Sequence, residues 1–168
     1  MLNVTFDIAG EQQYVRSFEA FDEELRDLRD PLGDVADHLQ HVVGEQFLTE
    51  GAHGLGLRWV PLNPEYAAWK REHYPGAPLL VRTGAMRDAL ITDGTRELTA
   101  HSLRWGITTQ TDDEGQPIRE YAIAHQTGRG VVPQRKIIAL GSMDRRQIDR
   151  IFVTWLHNLR RALFGAQR

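Results

Sequence analysis

The chain has no cysteine, which excludes disulfides, thiolate metal sites and cysteine nucleophiles. Serine is scarce. Ser17, Ser102 and Ser142 are the whole supply, and none stands in the G-x-S-x-G turn that exposes a hydrolase nucleophile. Apolar runs stay well short of the roughly eighteen residues that a membrane-crossing helix needs. The opening MLNVTFDIAG lacks the basic stretch followed by an apolar one that marks a secretory signal. Positive charge is not in excess either: 20 Lys and Arg face 23 Asp and Glu, a formal net charge of −3. That balance argues against a domain whose main task is gripping nucleic acid. The expectation is a soluble protein made in a reducing cytosol.

What is present is ordinary globular material. The 168 residues are 41% hydrophobic and 26% charged, enough for one domain over 1–168 with a core of usual size. Glycine and charge mark three flexible loops, near 51–57, 110–117 and 128–134.

Hydrophobic periodicity supplies the elements. Leu2, Val4, Phe6 and Ile8 alternate with polar residues, predicting a strand over 2–8. From Phe18 to Phe47 apolar residues recur at three- and four-residue steps, interrupted at Asp30-Pro31. Aspartate suits an N-cap and proline the first turn, so two helices are predicted, 17–29 and 31–49. Asn63-Pro64 opens a helix over 64–73, and Thr83-Gly84 opens another over 84–91. Leu98 to Ile107 reads as a strand over 97–108, with a change of register marked by His101 and Ser102. A short helix is predicted near Glu120–Gln126, with 117–122 a further candidate strand and 136–140 the last strand. Ser142 is the expected cap of a terminal helix, 144–163, whose stripe Ile148, Ile151, Phe152, Trp155 and Leu159 should bury Trp155. The fold class is therefore α+β: a small, mainly antiparallel sheet packed against N-terminal helices and a long C-terminal helix.

Catalytic patterns are missing. His38 and His41 lie three apart on a helix near Asp34 and Asp37, but the apolar stripe through Leu39, Val42 and Val43 leaves them on the wet side. No zinc spacing such as H-E-x-x-H occurs. Consecutive acids at 22–24 and 112–114 point apart or sit at a hairpin tip, which is no place to raise a carboxyl pKa. No cofactor motif is found. Trp59 and Trp69 are candidates for core or protomer-interface anchors. Arg129 and Arg135 flank the loop 128–134. The outer face of the terminal helix carries Arg145, Arg146, Arg150, Arg160 and Arg161, a surface for neighbouring acids or, in the alternative reading, for nucleic acid in a DNA-binding regulator.

Two stretches carry more than composition does. One, WVPLNPEYAAWKREHYPGAPLLVRT, runs from Trp59 to Thr83. The other, YAIAHQTGRGVVPQRKIIAL, runs from Tyr121 to Leu140. Together they resemble the phage virion morphogenesis family, the tail-completion proteins of Mu-like and related tailed phages. Its members show W-x-P-L-x-x-x-Y-x-x-x-K, then T-G-x-[LM], then Y-A-x-x-H-Q-x-G followed by P-x-R. Lys136 stands where relatives commonly carry a proline. The resemblance implies a virion building block and no enzyme. It implies a ring of copies of this chain, a hexamer to match the tail tube, at the head–tail neck. Its partners would be the tail tube protein and head-side connector proteins, with viral DNA passing through the lumen unbound and no membrane contact. It is implied to lie in the virion, and in host cytoplasm during assembly. On this resemblance the candidate interface residues are Trp59, Trp69, His125, Gln126, Arg129, Arg135, Lys136, Arg145 and Arg146.

Overall fold

The computed structural model describes residues 11–165; the expected strand over 2–8 and the tail at 166–168 lie outside them. Helices dominate: α1 (Glu11–Leu25), α2 (Arg29–Leu48), α3 (Pro64–His73), α4 (Ala85–Ile91), α5 (Ile118–Thr127) and α6 (Ser142–Phe164). They pack with a two-stranded antiparallel sheet of β1 (Thr95–Leu98) and β2 (Leu103–Gly106). The fold is α+β.

The core forms because α2 presents Val43 and Phe47 along one stripe to Met86, Ala89 and Leu90 of α4 and to Ile118 at the start of α5. Ile137 and Trp59 close it from the loops, the indole standing edge-on to Phe47 with centroids 5.4 Å apart. The corner before α2 differs from expectation in its cap. Pro31 does sit in the first turn, where its missing N–H costs no hydrogen bond. The N-cap is Leu28, which makes no side-chain cap bond; the carboxylate that holds the corner is Asp27, whose Oδ1 accepts from the Arg29 amide at 3.1 Å, and not Asp30. Leu28 N–H donates to Ala100 O at 2.8 Å, tying this corner to the hairpin turn.

The stretch read as one strand, 97–108, is two. A turn at Thr99–Ser102 splits it: Thr99 Oγ1 accepts from the Ser102 amide at 3.0 Å, and Leu98 pairs with Leu103 across the ladder. Arg96 then pins the hairpin to α2 through Asp37 and through Gly33 O at 2.8 Å. The candidate strand 117–122 is helical instead. Pro117 stands at the N-cap of α5, and Ile118 is buried as its first residue. The predicted strand 136–140 joins no ladder among the described residues, for a reason that belongs to the functional site.

Gly141, not Ser142, is the N-cap of α6; its N–H donates to Asp144 Oδ2 at 2.8 Å. A side chain could not replace Gly141, since a Cβ there would lie 2.3 Å from Gly54 O. The stripe Ile148–Ile151–Trp155–Leu159 faces inward, yet each residue is half-buried, Trp155 included, which corrects the expectation of full burial. Slender partners explain this. The start of α6 meets α2, where His38 Nε2 lies 3.8 Å from Asp144 Oδ1, and its end meets α1, where Phe164 packs on Phe18 and Phe21. No broad sheet covers the middle. No helix among the described residues is long and apolar enough to cross a membrane.

Candidate functional site

Segments 58–62 and 134–139 lie about seventy-five residues apart in the chain and close on each other as a latch. Trp59, 6% exposed, donates from Nε1 to Lys136 O at 2.9 Å, and Gln46 Nε2 donates to the same carbonyl at 2.8 Å. Arg135, 4% exposed, donates in return from Nε to Val60 O at 2.7 Å and from Nη2 to Pro61 O at 2.9 Å. A planar guanidinium can bridge two carbonyls this way because its donors form a rigid fork. Its own amide donates to His125 O at 2.7 Å, so α5 joins the latch.

Gln126 explains the missing strand. Its side-chain carbonyl accepts from the amides of Ile137, at 2.8 Å, and Ile138, at 3.0 Å; its Nε2 donates to Ile138 O at 2.9 Å. One amide side chain thus holds two successive backbone amides and a carbonyl, a grip that bends the segment where a strand would have run straight. With Lys136 O taken by Trp59 and Gln46, the segment's polar backbone is satisfied by side chains. It bends at Ile137–Ile138, with Arg135, Ile137 and Ala139 buried and Lys136 and Ile138 exposed.

Over the latch opens a cleft of about 710 Å³. Its walls are α3, the Thr83-Gly84 turn, the 112–117 tip, α5 and the loop 131–133, so both resembling segments contribute. Two buried cations line it, Arg135 and Lys70, the latter 5% exposed with its ammonium donating to Pro78 O. Burial pushes both below their ordinary pKa values; for Lys70 the nearby Glu50 acts in the opposite direction. At the rim Arg82 pairs with Glu114 at 3.0 Å and reaches Asp112 at 3.9 Å. Tyr66 and Tyr121 add aromatic walls. A pocket of this size, with polar groups fixed around apolar walls, suits a side chain or short segment of a partner.

The nine candidate residues separate into three groups. Trp59, His125, Gln126, Arg135 and the backbone of Lys136 come together. Arg135, expected beside an exposed loop, is buried, and Trp59 is a core anchor. Trp69 and Arg129 stay at the surface: the Trp69 ring stacks with Tyr66 at 5.4 Å and with His73 at 4.7 Å along the exposed side of α3. Arg145 and Arg146 are exposed on α6, outside the cleft lining. Sequence reasoning missed Gln46 and Arg82, and met Lys70 only as the last letter of the first motif. For Gln46 a signal existed, a lone amide on the apolar stripe Val42–Val43–Phe47. His38, read as wet, is half-buried with His53 beside Asp144, the latter pair at 3.3 Å. Among the described residues no three His, Asp or Glu gather so as to hold a metal ion.

His125 gives the latch a pH dependence. Burial first, and the adjacent Arg135 second, lower its pKa below 6.5; Nδ1 lies 3.5 Å from Arg135 Nη1. A base whose folded pKa is depressed leaves the unfolded chain binding more protons, so stability falls as pH drops below about 6.5 and levels off below the folded pKa. The expected result is a declining unfolding free energy from pH 7 to 5 in urea melts. His125→Gln should flatten part of that slope, and an unchanged slope would place the titration elsewhere.

No protein-family model, no curated protein and no solved structure matches this chain.

Proposed function

We propose that this chain is a structural subunit of a tailed-phage particle, a tail-completion or tail-terminator protein at the head–tail neck. Copies of it form a ring, sixfold to match the tail tube, and join the tail to head-side connector proteins. One observation carries this reading. The segments that resemble the family, 59–83 and 121–140, fold against each other through bonds that involve motif residues: Trp59 to the backbone of Lys136, Arg135 to Val60 and Pro61, Gln126 to Ile137 and Ile138. Trp59, Gln126 and Arg135, letters of the two motifs, sit in this latch, and Tyr66, Lys70 and Tyr121 line the cleft beside it. The work of such a part is docking without turnover. A neighbouring subunit would seat in the cleft, and DNA would pass a lumen to which a chain of net charge −3 offers little grip.

Loss of the protein during infection by the phage that encodes it should leave separate heads and tails, or tails of abnormal length, in electron micrographs. Intact infectious particles without it would overturn the reading. The nucleic-acid reading retains one observation in its favour. Among the described residues none of the five α6 arginines has a carboxylate oxygen within 4.0 Å. If those arginines held phosphates, DNA affinity would fall steeply with added salt; the virion reading expects no such binding.

A further inference from the structure

The helix α1 exposes the face it should hide. Its apolar residues Tyr14, Phe18, Phe21 and Leu25 step by four, three and four, which sets them on one stripe. Yet Phe18 is 63% exposed, and Tyr14 and Leu25 are exposed as well. Among the described residues only one edge is covered, where Ser17 Oγ donates to Leu163 O at 3.1 Å and Phe164 packs on Phe18 and Phe21. A helix of 15 residues is marginal by itself and draws its stability from packing that stripe.

A matching surface exists on the same molecule. On the side of α6 opposite its inward stripe, Arg146, Arg150, Val153, His157 and Arg160 step by four, three, four and three, all exposed, Val153 to 65%. Equal stepping lets two such stripes run along one another as coiled-coil neighbours do. The charges are opposite: Asp22 and Glu24 border the α1 stripe, and arginines dominate the α6 stripe. Asp22 is held within its own copy by Arg26 at 2.6 Å, but among the described residues no α1 carboxylate lies within 4.0 Å of an α6 arginine. A phosphate backbone would match the arginines but leave the apolar stripe uncovered and meet its acids.

We infer that α1 of one copy docks along the Arg146–Arg160 face of α6 in a second copy, a head-to-tail contact that builds an assembly of this chain. The two surfaces differ, so the contact is heterologous and closes into a ring when the rotation closes. Apolar burial at Phe18 and Val153 supplies affinity, and the opposite charges set register and encounter rate. The inference rests on the ring reading above only in needing self-association, and its test is separate from the particle test given there.

The test is sedimentation velocity of the full chain over a concentration series at low salt, with hydrogen exchange on the same samples. Expected are concentration-dependent oligomers and slower exchange of α1 amides as they form. Reversing charge on one side, Arg146→Glu with Arg150→Glu or Asp22→Arg with Glu24→Arg, should weaken association about tenfold or more; both pairs together should restore it. Val153→Glu is a second disruption that needs no charge partner. These residues are exposed, so the melting temperatures should stay at the parent value. A chain that remains monomeric overturns the inference, whatever particle morphology shows. Association unmoved by the reversals overturns this surface while leaving a ring intact. Reversals that weaken association without mutual rescue overturn the pairing of α1 with α6. Protection of α1 that does not depend on concentration means that the chain covers its own stripe, which also overturns it.

Discussion

Trp59→Ala is expected to lower the unfolding free energy by about 3–5 kcal/mol, the range for deleting a buried large aromatic. Several losses coincide at this position. The indole leaves a hole beside Phe47, and Lys136 O loses one of its two donors. The space cannot easily refill, because Gly51 stands against the ring at φ +94°, where a Cβ would lie 2.4 Å from Trp59 Cδ1. That glycine accepts the left-handed backbone and the close approach together. Trp59→Phe separates the effects: it keeps most of the contact, removes the N–H, and should cost only about 1–2 kcal/mol. Guanidinium melts of both variants decide it. Equal losses would mean that the hydrogen bond matters more than the packing.

Arg135→Met should cost about 2–4 kcal/mol, since methionine keeps the aliphatic stem and leaves Val60 O and Pro61 O without their donors. Two effects compete. Removing a buried cation relieves a desolvation cost, and abandoning two carbonyls adds one. The second should win, because charged donors to backbone acceptors are among the stronger bonds in a protein. Arg135→Lys should rescue little of the loss; an ammonium is a point charge and cannot fork to two carbonyls. Hydrogen exchange should rise at 58–62 and 134–138 in both variants. A methionine variant as stable as the parent would show that the latch does not hold these segments.

Local chemistry made the helices legible. Asn63 and Pro64 announced α3, and in the structure the Asn63 side chain accepts from the Glu65 amide at 2.9 Å over the helix Pro64–His73. The apolar stripes of α2 and α6 likewise needed only their own sequence. The segment 136–140 shows where such reading stops. Its period of two correctly signals alternating burial, and continued back to Arg135 the same period would have placed that arginine inside, but the chain bends at Ile137–Ile138 and forms no strand. The bonding partner is what sequence could not supply, for Gln126 grips the segment's backbone, and nothing in a lone glutamine announces it. The helix expected near Glu120–Gln126 is there as part of α5, while the candidate strand 117–122 fails because Pro117 already caps that helix. Trp155 was placed on the correct face, but how much of that face is covered depends on neighbours far away in the chain.

The latch joins residues separated by 77 positions at Trp59–Lys136 and by 90 at Gln46–Lys136. Loops that long close slowly compared with a helical turn, and their entropy is lost before any contact rewards them. α2, α4 and the hairpin are local and can form first, so the latch belongs on the native side of the folding barrier. Substitutions at Trp59 and Arg135 should then leave the refolding arm of a chevron nearly unchanged and steepen escape from the native state, raising the unfolding rate by most of their equilibrium effect. The latch would thereby set the lifetime of the folded subunit more than the ease with which it is reached.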